Sequence, residues 1–522
     1  MKESPAVHSW RESLRAFGHP RVVTMLFLGF SAGIPLLLIF SSLSLWLREA
    51  GIERSAVTFF SWAALGYSFK FVWAPLIDKL PIPFLTRMLG RRRAWLLCAQ
   101  LAIIAAIVWM ASTNPAAGEH TLTLMAFAAI MLGFSSATQD IVIDAYRIES
   151  ADKDLQALMS ATYITGYRIA MIVAGAGAIF LAQHLGSVEG AYSYNAWRWT
   201  YYAMALVMLV GMATTLIIRE PDVTRNSVFT HSTQDYLGLL FLFFLAVSGF
   251  ILAFFFTNET VITAKSSLFS MINNKPFSSF LIELFRFAFA VMVAWLIAKI
   301  VVSTGAINRV MLQEAYIDPV KDFFQRHGLQ LAWLLLALIG LYRISDIVLG
   351  VISNVFYQDL GFSKAEIASA VKTFGIVMTI LGGFLGGLLS IRYGVIRILF
   401  LGAVLSAATN LLFMLLAGMG HNLGMLYLVV AADNIAAGLA TAAFIAFLSS
   451  LTNISFTAMQ YAIFSSLMTL LPKLLGGYSG SMVDNIGYPN FFMLTALMGV
   501  PVLLLIWLAD KHYTIKETPP LR

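Results

Sequence analysis

The chain is 522 residues long, 59% hydrophobic and only 12% charged, with a formal charge of +7 and a mean hydropathy of +0.81. Charged residues are about half as frequent as the roughly 25% of a soluble domain, which excludes a water-soluble globule. A membrane β-barrel is excluded as well, because its alternating segments of about 10 residues do not occur, and lipid leaves only helices to pair every backbone group.

Apolar stretches of about 20 residues, enough at ~1.5 Å per residue to cross a ~30 Å hydrocarbon core, recur along almost the whole length. The polar start leads into an apolar run that is too long for a signal-peptide core and lacks a small-residue cleavage site, so it reads as a retained span. The first six predicted spans are Val22 to Trp46, Ala56 to Leu80, Ala94 to Ser112, Leu122 to Tyr146, Leu158 to Gln183 and Trp197 to Ile218. After a polar stretch come Tyr236 to Phe256 and Leu281 to Val302. The last six are Leu331 to Phe356, Ala365 to Ser390, Val395 to Ala417, Leu423 to Leu448, Thr457 to Val483 and Asn490 to Leu508. This order of six, two and six divides the chain at 1–220, 221–328 and 329–522.

Placing the N-terminus inside puts most loop Lys and Arg, including Arg91, Arg92 and Arg93, in the cytoplasm, so both termini are expected there. The middle pair is less uniform, because Leu281 to Val302 carries Glu283, Arg286 and Lys299. Parity decides that both cross or neither does: a single crossing would put Arg392, Arg397, Lys511 and Lys516 outside, against the basic-loop bias. The two sets of six also resemble each other weakly. Leu47 to Ile52 parallels Gln358 to Phe362, and each precedes a helix with one lysine, Lys70 or Lys372. Two six-helix halves with substrate bound between them is the major facilitator plan, here with two additional helices between the halves.

The sharpest local motif joins Trp73-Ala74-Pro75-Leu76-Ile77-Asp78-Lys79 to Gly90-Arg91-Arg92-Arg93. It resembles the major facilitator loop signature, and an acid at a helix end beside a basic cluster can hold one side shut by charge-assisted bonds that break when the halves rock. The plainer reading is that the arginines only fix topology. In the second half Gly386 to Gly394 keeps the glycines and Arg392 but loses the acid. Asp144 and Arg147 complete the expected cytoplasmic gate with Asp78, Arg91, Arg92 and Arg93.

Ionisable groups near a bilayer centre cost about 2.5 kcal/mol or more, and are tolerated where they face protein or a wet cavity. Helix counting places Arg168, Arg343, Asp346, Asp433 and Lys473 near the midplane, Lys70 and Asp140 toward the cytoplasm and Lys372 toward the outside. With Gln139, Tyr167 and Asn434 they form the expected substrate cavity, whose five cations and three acids favour an anionic solute. Asp140, Asp346 and Asp433 are the candidate proton carriers. The competing reading of each charge is a buried pair that orients helices, and Arg343 with Asp346, three apart, can satisfy each other.

Gly29, Gly33, Gly382, Gly383, Gly386 and Gly387 read as sites of close helix approach, and Phe241, Phe243, Phe244 and Phe254 to Phe256 as lipid-facing. Cys98 is alone and reads as packing. No P-loop, HExxH or GxSxG occurs and the histidines are scattered, so neither catalysis, a metal, a cofactor nor ATP-driven transport is expected.

Several runs together resemble the AmpG family of bacterial muropeptide permeases: SAGIPLLL from Ser31, YSFKFVWAPLIDKL from Tyr67, GRRRAWLL from Gly90, SSATQDIVIDAYRIE from Ser135 and GYRIAMIVAGAGA from Gly166. DPVKDFFQRHG from Asp318, LYRISDIV from Leu341, DNIAAGLATAAFIAFLSSL from Asp433 and SFTAMQYAIFSSL from Ser455 continue the likeness, which covers roughly Val22 to Glu220 and Asp318 to Leu508. The resemblance implies import of anhydromuropeptides across the bacterial inner membrane, driven by protons, for peptidoglycan recycling and β-lactamase induction. The carboxylates and hydroxyls of such a solute agree with a net cationic cavity. The segment from His231 to Ser303 departs from a twelve-helix plan. An acetyl-CoA or other anion transporter, a drug or sugar porter, and a receptor or scaffold that has lost transport stay open. Expected partners are the solute, protons and lipid, without nucleic acid, and the protein is expected to act as a monomer.

Overall fold

The computed structural model describes residues 15–517 except 54–56, 58–59, 61–65, 152, 188–190, 223–230, 273–274 and 306. Among the described residues regular structure is helical, with no β-strand. Thirteen of these helices are long and apolar enough to span a bilayer. They are α1 (Pro20–Glu49), α2 (Arg91–Ala111), α3 (Glu119–Ser150), α4 (Leu155–His184), α5 (Tyr194–Ile217), α6 (Thr233–Phe256), α7 (Leu281–Ser303), α8 (Leu329–Asp359), α9 (Ala365–Tyr393), α10 (Val395–Met419), α11 (Leu423–Leu451), α12 (Ile454–Gly476) and α13 (Ser479–Lys511). The remaining expected span, Ala56 to Leu80, falls partly outside the described residues; what is described of it forms Gly66–Phe69, the tight turn Lys70–Val72 and Ala74–Lys79. The architecture is therefore all-α and membrane-spanning, close to the fourteen spans read from the sequence.

The described residues cluster into two compact units. One holds residues 1–74, 82–226 and 323–522, and so contains α1 to α5 and α8 to α13. The other holds 75–81 and 227–322, with α6, α7 and the helix Asn258–Ile272 between them.

In the first unit the spans alternate in direction. Turns near residues 90, 151, 220, 394 and 452 gather at one end, called here the terminal face, and turns near 50, 114, 186, 361, 421 and 487 at the other, the distal face. Distal helix starts are capped by side chains, Ser193 accepting from Ala196 N and Asn422 from Met425 N, which satisfies amides that lipid cannot. Glycine sets the closest helix approaches. A Cβ on Gly166 would lie 1.9 Å from the Leu26 carbonyl oxygen, and one on Gly29 2.1 Å from that of Tyr163, which locks α1 to α4. Gly382 and Gly438 do the same for α9 and α11, at 2.1 Å from Ile435 O and 2.2 Å from Thr379 O. In lipid, where apolar transfer drives little, such backbone-to-backbone contact is what dispersion can use.

Several spans leave α-helical geometry. α8 breaks at Tyr342–Arg343, α4 contains a wide π-turn at Val173–Gly177, α9 another at Ala368–Phe374, and α13 turns at Gly487, whose φ of 75° and ψ of 164° suit only glycine. Lys70, Arg343 and Lys372 all lie in these irregular turns. Freed backbone groups inside a bilayer are tolerated where they face protein or water, so the irregular turns themselves mark polar interior.

In the second unit α6 and α7 pack as a hairpin, and Ile297 fills the space that a side chain on Gly249 would need. Lys265 pairs with Glu283 at 2.5 Å, and the Arg286 guanidinium sits 4.2 Å from the centre of the Phe254 ring while donating to the Phe254 carbonyl. Phe241, Phe244, Phe255 and Phe256 are exposed, as lipid-facing side chains are. Glu314 receives Lys79 and His231, each at 3.1 Å.

Candidate functional site

At the terminal face the two six-helix sets are clamped together. α4 packs on α9 and α11, and α3 on α12. The contact is tight at Gly387, where an added Cβ would meet Ala161 at 2.8 Å and the Ala157 carbonyl at 3.1 Å. Arg147, fully buried, is the polar centre of the clamp. Its guanidinium reaches Ser449 of α11 at 2.7 Å and lies 5.2 Å from the Tyr461 ring of α12. On its own side it holds Asp144 at 3.3 Å, Gln156 at 3.3 Å and Ser160 at 3.2 Å. Lys70 approaches the other Asp144 oxygen at 3.5 Å. Further along α4, the main packing partners of Val173–Gly177 and Ala178–His184 among the described residues belong to the N-terminal half. The halves are thus joined at the terminal face and not along distal α4.

The arginine cluster after Gly90 serves the N-terminal half. Arg92 is clasped by Glu149 of α3 at 2.5 and 3.0 Å, both side chains almost fully buried. The Glu220 carboxylate accepts from the Arg92 and Arg93 amides at 2.8 and 3.0 Å, capping α2, and the Arg93 guanidinium donates to the Thr215 and Leu216 carbonyls that end α5. Arg91 is half-buried beside them. Asp78 is buried in Ala74–Lys79, most of which belongs with the second unit.

Above the clamp the charges fall into two groups. In the N-terminal half Asp140 is within electrostatic reach of Lys70, Asp144, Tyr67, Tyr163 and Tyr167, and its buried Oδ1 has no hydrogen-bond partner among the described residues. In the C-terminal half Arg343 spans Asp346 (Nε to Oδ2, 3.3 Å) and Thr441 of α11 (2.7 Å). Ser406 of α10 donates to Asp346, and Thr409 to Asp433 at 3.5 Å. The two carboxylates lie near enough to repel, and Arg343 acts on both. Arg343 is 22% accessible and Asp346 14%, although both lie mid-span, so the group is not fully enclosed by the packed helices.

Arg168 of α4 lies within electrostatic reach of its neighbour Tyr167 and of Arg343 in the opposite half, and its one polar side-chain contact among the described residues is the Met171 sulfur at 3.5 Å. A guanidinium with no acid partner among the described residues has the N–H pair free to grip a carboxylate or phosphate through two parallel bonds.

The remaining expected cavity residues separate. Tyr167 lies beside Asp140 and Arg168. Gln139 points into the N-terminal half, where it is fully buried and accepts from Ser31 at 2.9 Å. Asn434 ties α11 to α9 by accepting from Thr379 at 2.8 Å and donating to the Val430 carbonyl. Both follow or precede an aspartate in sequence, and neighbours on a helix point about 100° apart, so adjacency carried neither into the group of its neighbour. Lys473 is exposed on α12, and Lys372 lines a cavity of about 300 Å³ with Asn354, Gln358, Ile367 and Ala368. Sequence reasoning missed Glu149, Glu220, Ser449, Tyr461, Ser406 and Thr441. Glu149 and Tyr461 lie in the YRIE and MQYAIF runs, whose polar residues in apolar spans were the available signal.

Comparison with known proteins agrees with this architecture. The chain is 28% identical to the Putative transporter AmpG 4 of Rickettsia felis (strain ATCC VR-1525 / URRWXCal2) over 501 residues, 96% of this chain and 99% of the relative. It is equally similar to the Anhydromuropeptide permease of Escherichia coli (strain K12), over 96% of this chain and 82% of that one. Among solved structures, a bacterial homologue of the iron transporter ferroportin in an outward-facing state superposes with a TM-score of 0.58 at 12% identity, covering 94% of this chain and 98% of that one. The E. coli fucose:proton symporter FucP gives 0.57 at 11%, covering 95% and 99%. The family model described as Major Facilitator Superfamily matches residues 22–317 and 333–522, almost the whole length. The chain belongs to the major facilitator superfamily.

Proposed function

We propose that this protein imports anhydromuropeptides, N-acetylglucosaminyl-anhydro-N-acetylmuramyl peptides, from the periplasm to the cytoplasm of a bacterium by proton-coupled secondary transport. The observation that carries the reading is Arg168, a half-buried guanidinium in mid-span that has no acid partner among the described residues and lies within electrostatic reach of Arg343 of the other half, an arrangement that favours an anionic solute. The likeness over nearly the full chain to a relative named Anhydromuropeptide permease supports this solute class. Tyr67, Tyr163 and Tyr167 near Asp140 supply aromatic faces and hydroxyls suited to sugar rings.

The terminal face is taken as cytoplasmic, since Arg91, Arg92, Arg93, Arg392 and Arg397 crowd it. With that face clamped, the described conformation is the one open to the periplasm. Asp140, Asp346 and Asp433 are the proton carriers of this reading, because each is a carboxylate inside a span within electrostatic reach of a cation of its own half, and a local shift of that cation changes how firmly the carboxyl holds a proton. Import of this kind belongs to peptidoglycan recycling and β-lactamase induction, through a monomer in the inner membrane that performs no covalent chemistry. The test is uptake by purified protein in liposomes under an imposed proton gradient, comparing labelled disaccharide, muropeptide, free peptide and acetyl-CoA. Accumulation of muropeptide that stops when the gradient is collapsed supports the proposal. Uptake of acetyl-CoA alone replaces the solute, and uptake indifferent to the gradient removes the proton.

A further inference from the structure

The cavity around Lys372 has no part in the clamp or in the central charged groups. Asn354 and Gln358 reach it from the distal end of α8, and Ile367, Ala368 and Lys372 from the distal end of α9. Lys372 stands in the π-stretch Ala368–Phe374, where the widened turn shifts side chains off the register of the helix that follows. Lys372, Asn354, Gln358 and Ala368 are exposed, so this is an open cavity, and among the described residues the Lys372 ammonium has no hydrogen bond or ion pair and is free to meet a ligand there. The nearby distal acids are otherwise engaged. Glu366 accepts from Ser363 and from His421 at 3.3 Å, and Asp359 accepts from the Tyr488 hydroxyl. A cation flanked by two primary amides offers several N–H donors to one anion and amide groups to a peptide backbone, a donor set that fits a peptide carboxylate.

From the geometry we infer that this cavity is a distal subsite for the terminal carboxylate of the peptide carried by the solute, separate from the Arg168–Arg343 centre. The inference rests on the muropeptide reading above and adds where each end of the solute sits. Asn354 follows Arg343 on the same span by 354 − 343 = 11 residues, a rise of about 16 Å at ~1.5 Å per residue. An extended peptide covers roughly 3.3 to 3.6 Å per residue, so a stem of four to five residues, or a shorter stem together with its sugar attachment, spans that gap. A solute gripped at both ends must enter peptide-last or peptide-first in a fixed sense, and a peptide-free disaccharide forgoes the distal grip.

The experiment uses the full-length protein in liposomes and three labelled solutes: the disaccharide-peptide with a free terminal carboxylate, the same molecule amidated there, and the peptide-free disaccharide. The wild type should show a KM about tenfold lower for the free acid than for the amide, the effect of one charge-assisted contact. Lys372→Met should bring that ratio near one, Lys372→Arg should keep most of it, and continued uptake of the amidated solute by Lys372→Met shows that the variant is folded. Equal KM values for acid and amide in the wild type, or an unchanged ratio in Lys372→Met, overturn the subsite while leaving muropeptide transport standing. A wild type that takes up none of the three overturns the muropeptide reading and the subsite with it.

Discussion

Ser449→Ala isolates the clamp better than any change to Arg147 itself. The Ser449 hydroxyl accepts from the Arg147 guanidinium at 2.7 Å and otherwise only donates to the Ile445 carbonyl of its own helix, so the substitution removes one bond between the halves and leaves each half intact. A hydrogen bond to a charged group contributes about 1.5 to 3 kcal/mol. Arg147 keeps Asp144, Gln156 and Ser160, so the lower end applies, about a tenfold shift away from the clamped state. The shift is readable as a distance change at the distal face. With Cys98 replaced, since it is the one native cysteine, spin labels at His120 and Gly424 report the separation of the distal ends of α3 and α11 by pulsed electron resonance. The expected outcome is a growing short-distance population in Ser449→Ala as the distal ends close. An unchanged distance distribution would mean that this bond survives in both states, and that Arg147 is packing and not a latch.

Arg168→Gln should raise the KM for an anionic solute about tenfold or more while leaving thermal stability unchanged or higher, because it relieves a cation facing Arg343; a lower melting temperature would instead assign Arg168 to structure. Glu149→Gln should cost about 3 to 5 kcal/mol, as breaking one side of a buried ion pair does, and unfolding in detergent that matches wild type would contradict the Arg92–Glu149 assignment. Burial works to raise the Glu314 carboxyl, but hydrogen bonds from His231 and Lys79 outweigh it and hold the group below its ordinary 4.5. A depressed acid contributes stability that is present above its unfolded value and lost as pH falls through the folded one, so hydrogen exchange around Arg309–Leu312 should quicken only below that ordinary value, and Lys79→Met should move the onset upward. Exchange that is the same on both sides of that value removes Glu314 from the fold of the second unit.

How much the sequence disclosed follows from the range of each interaction. Spans were legible because lipid enforces a rule on every run of about 20 residues, and observed helix ends differ from expectation mainly where a helix runs on past the bilayer, as α3 does from Tyr146 to Ser150. Arg343 with Asp346 was legible because three residues put both on one helical face. Arg92 with Glu149 was not: the partners are 57 positions apart, and nothing local distinguishes Glu149 from a loop acid until α2 and α3 are packed. Ser449 is 302 positions from Arg147, so the clamp exists only at the level of the two assembled halves. The irregular turns at Lys70, Arg343 and Lys372 also escaped, since neither glycine nor proline marks them and a composition-based span treats each helix as straight.

The division between paired and unpaired charge is what makes the arrangement a carrier and not a rigid bundle. Arg92 meets Glu149 entirely within one half, and such a pair has no reason to open when the halves move. Arg147 divides its contacts between halves, and its guanidinium retains Asp144 if Ser449 withdraws, so separation never strands a bare charge in low dielectric. Arg168 is the opposite case, a cation with no acid partner among the described residues although an apolar side chain would pack on α4 without the cost of at least about 2.5 kcal/mol that a charge incurs there. On the proposed reading, a solute anion offsets that cost. In that same reading, an anion held by both Arg168 and Arg343, which come from different halves, draws those halves together at mid-depth and so couples solute binding to closure of the distal face.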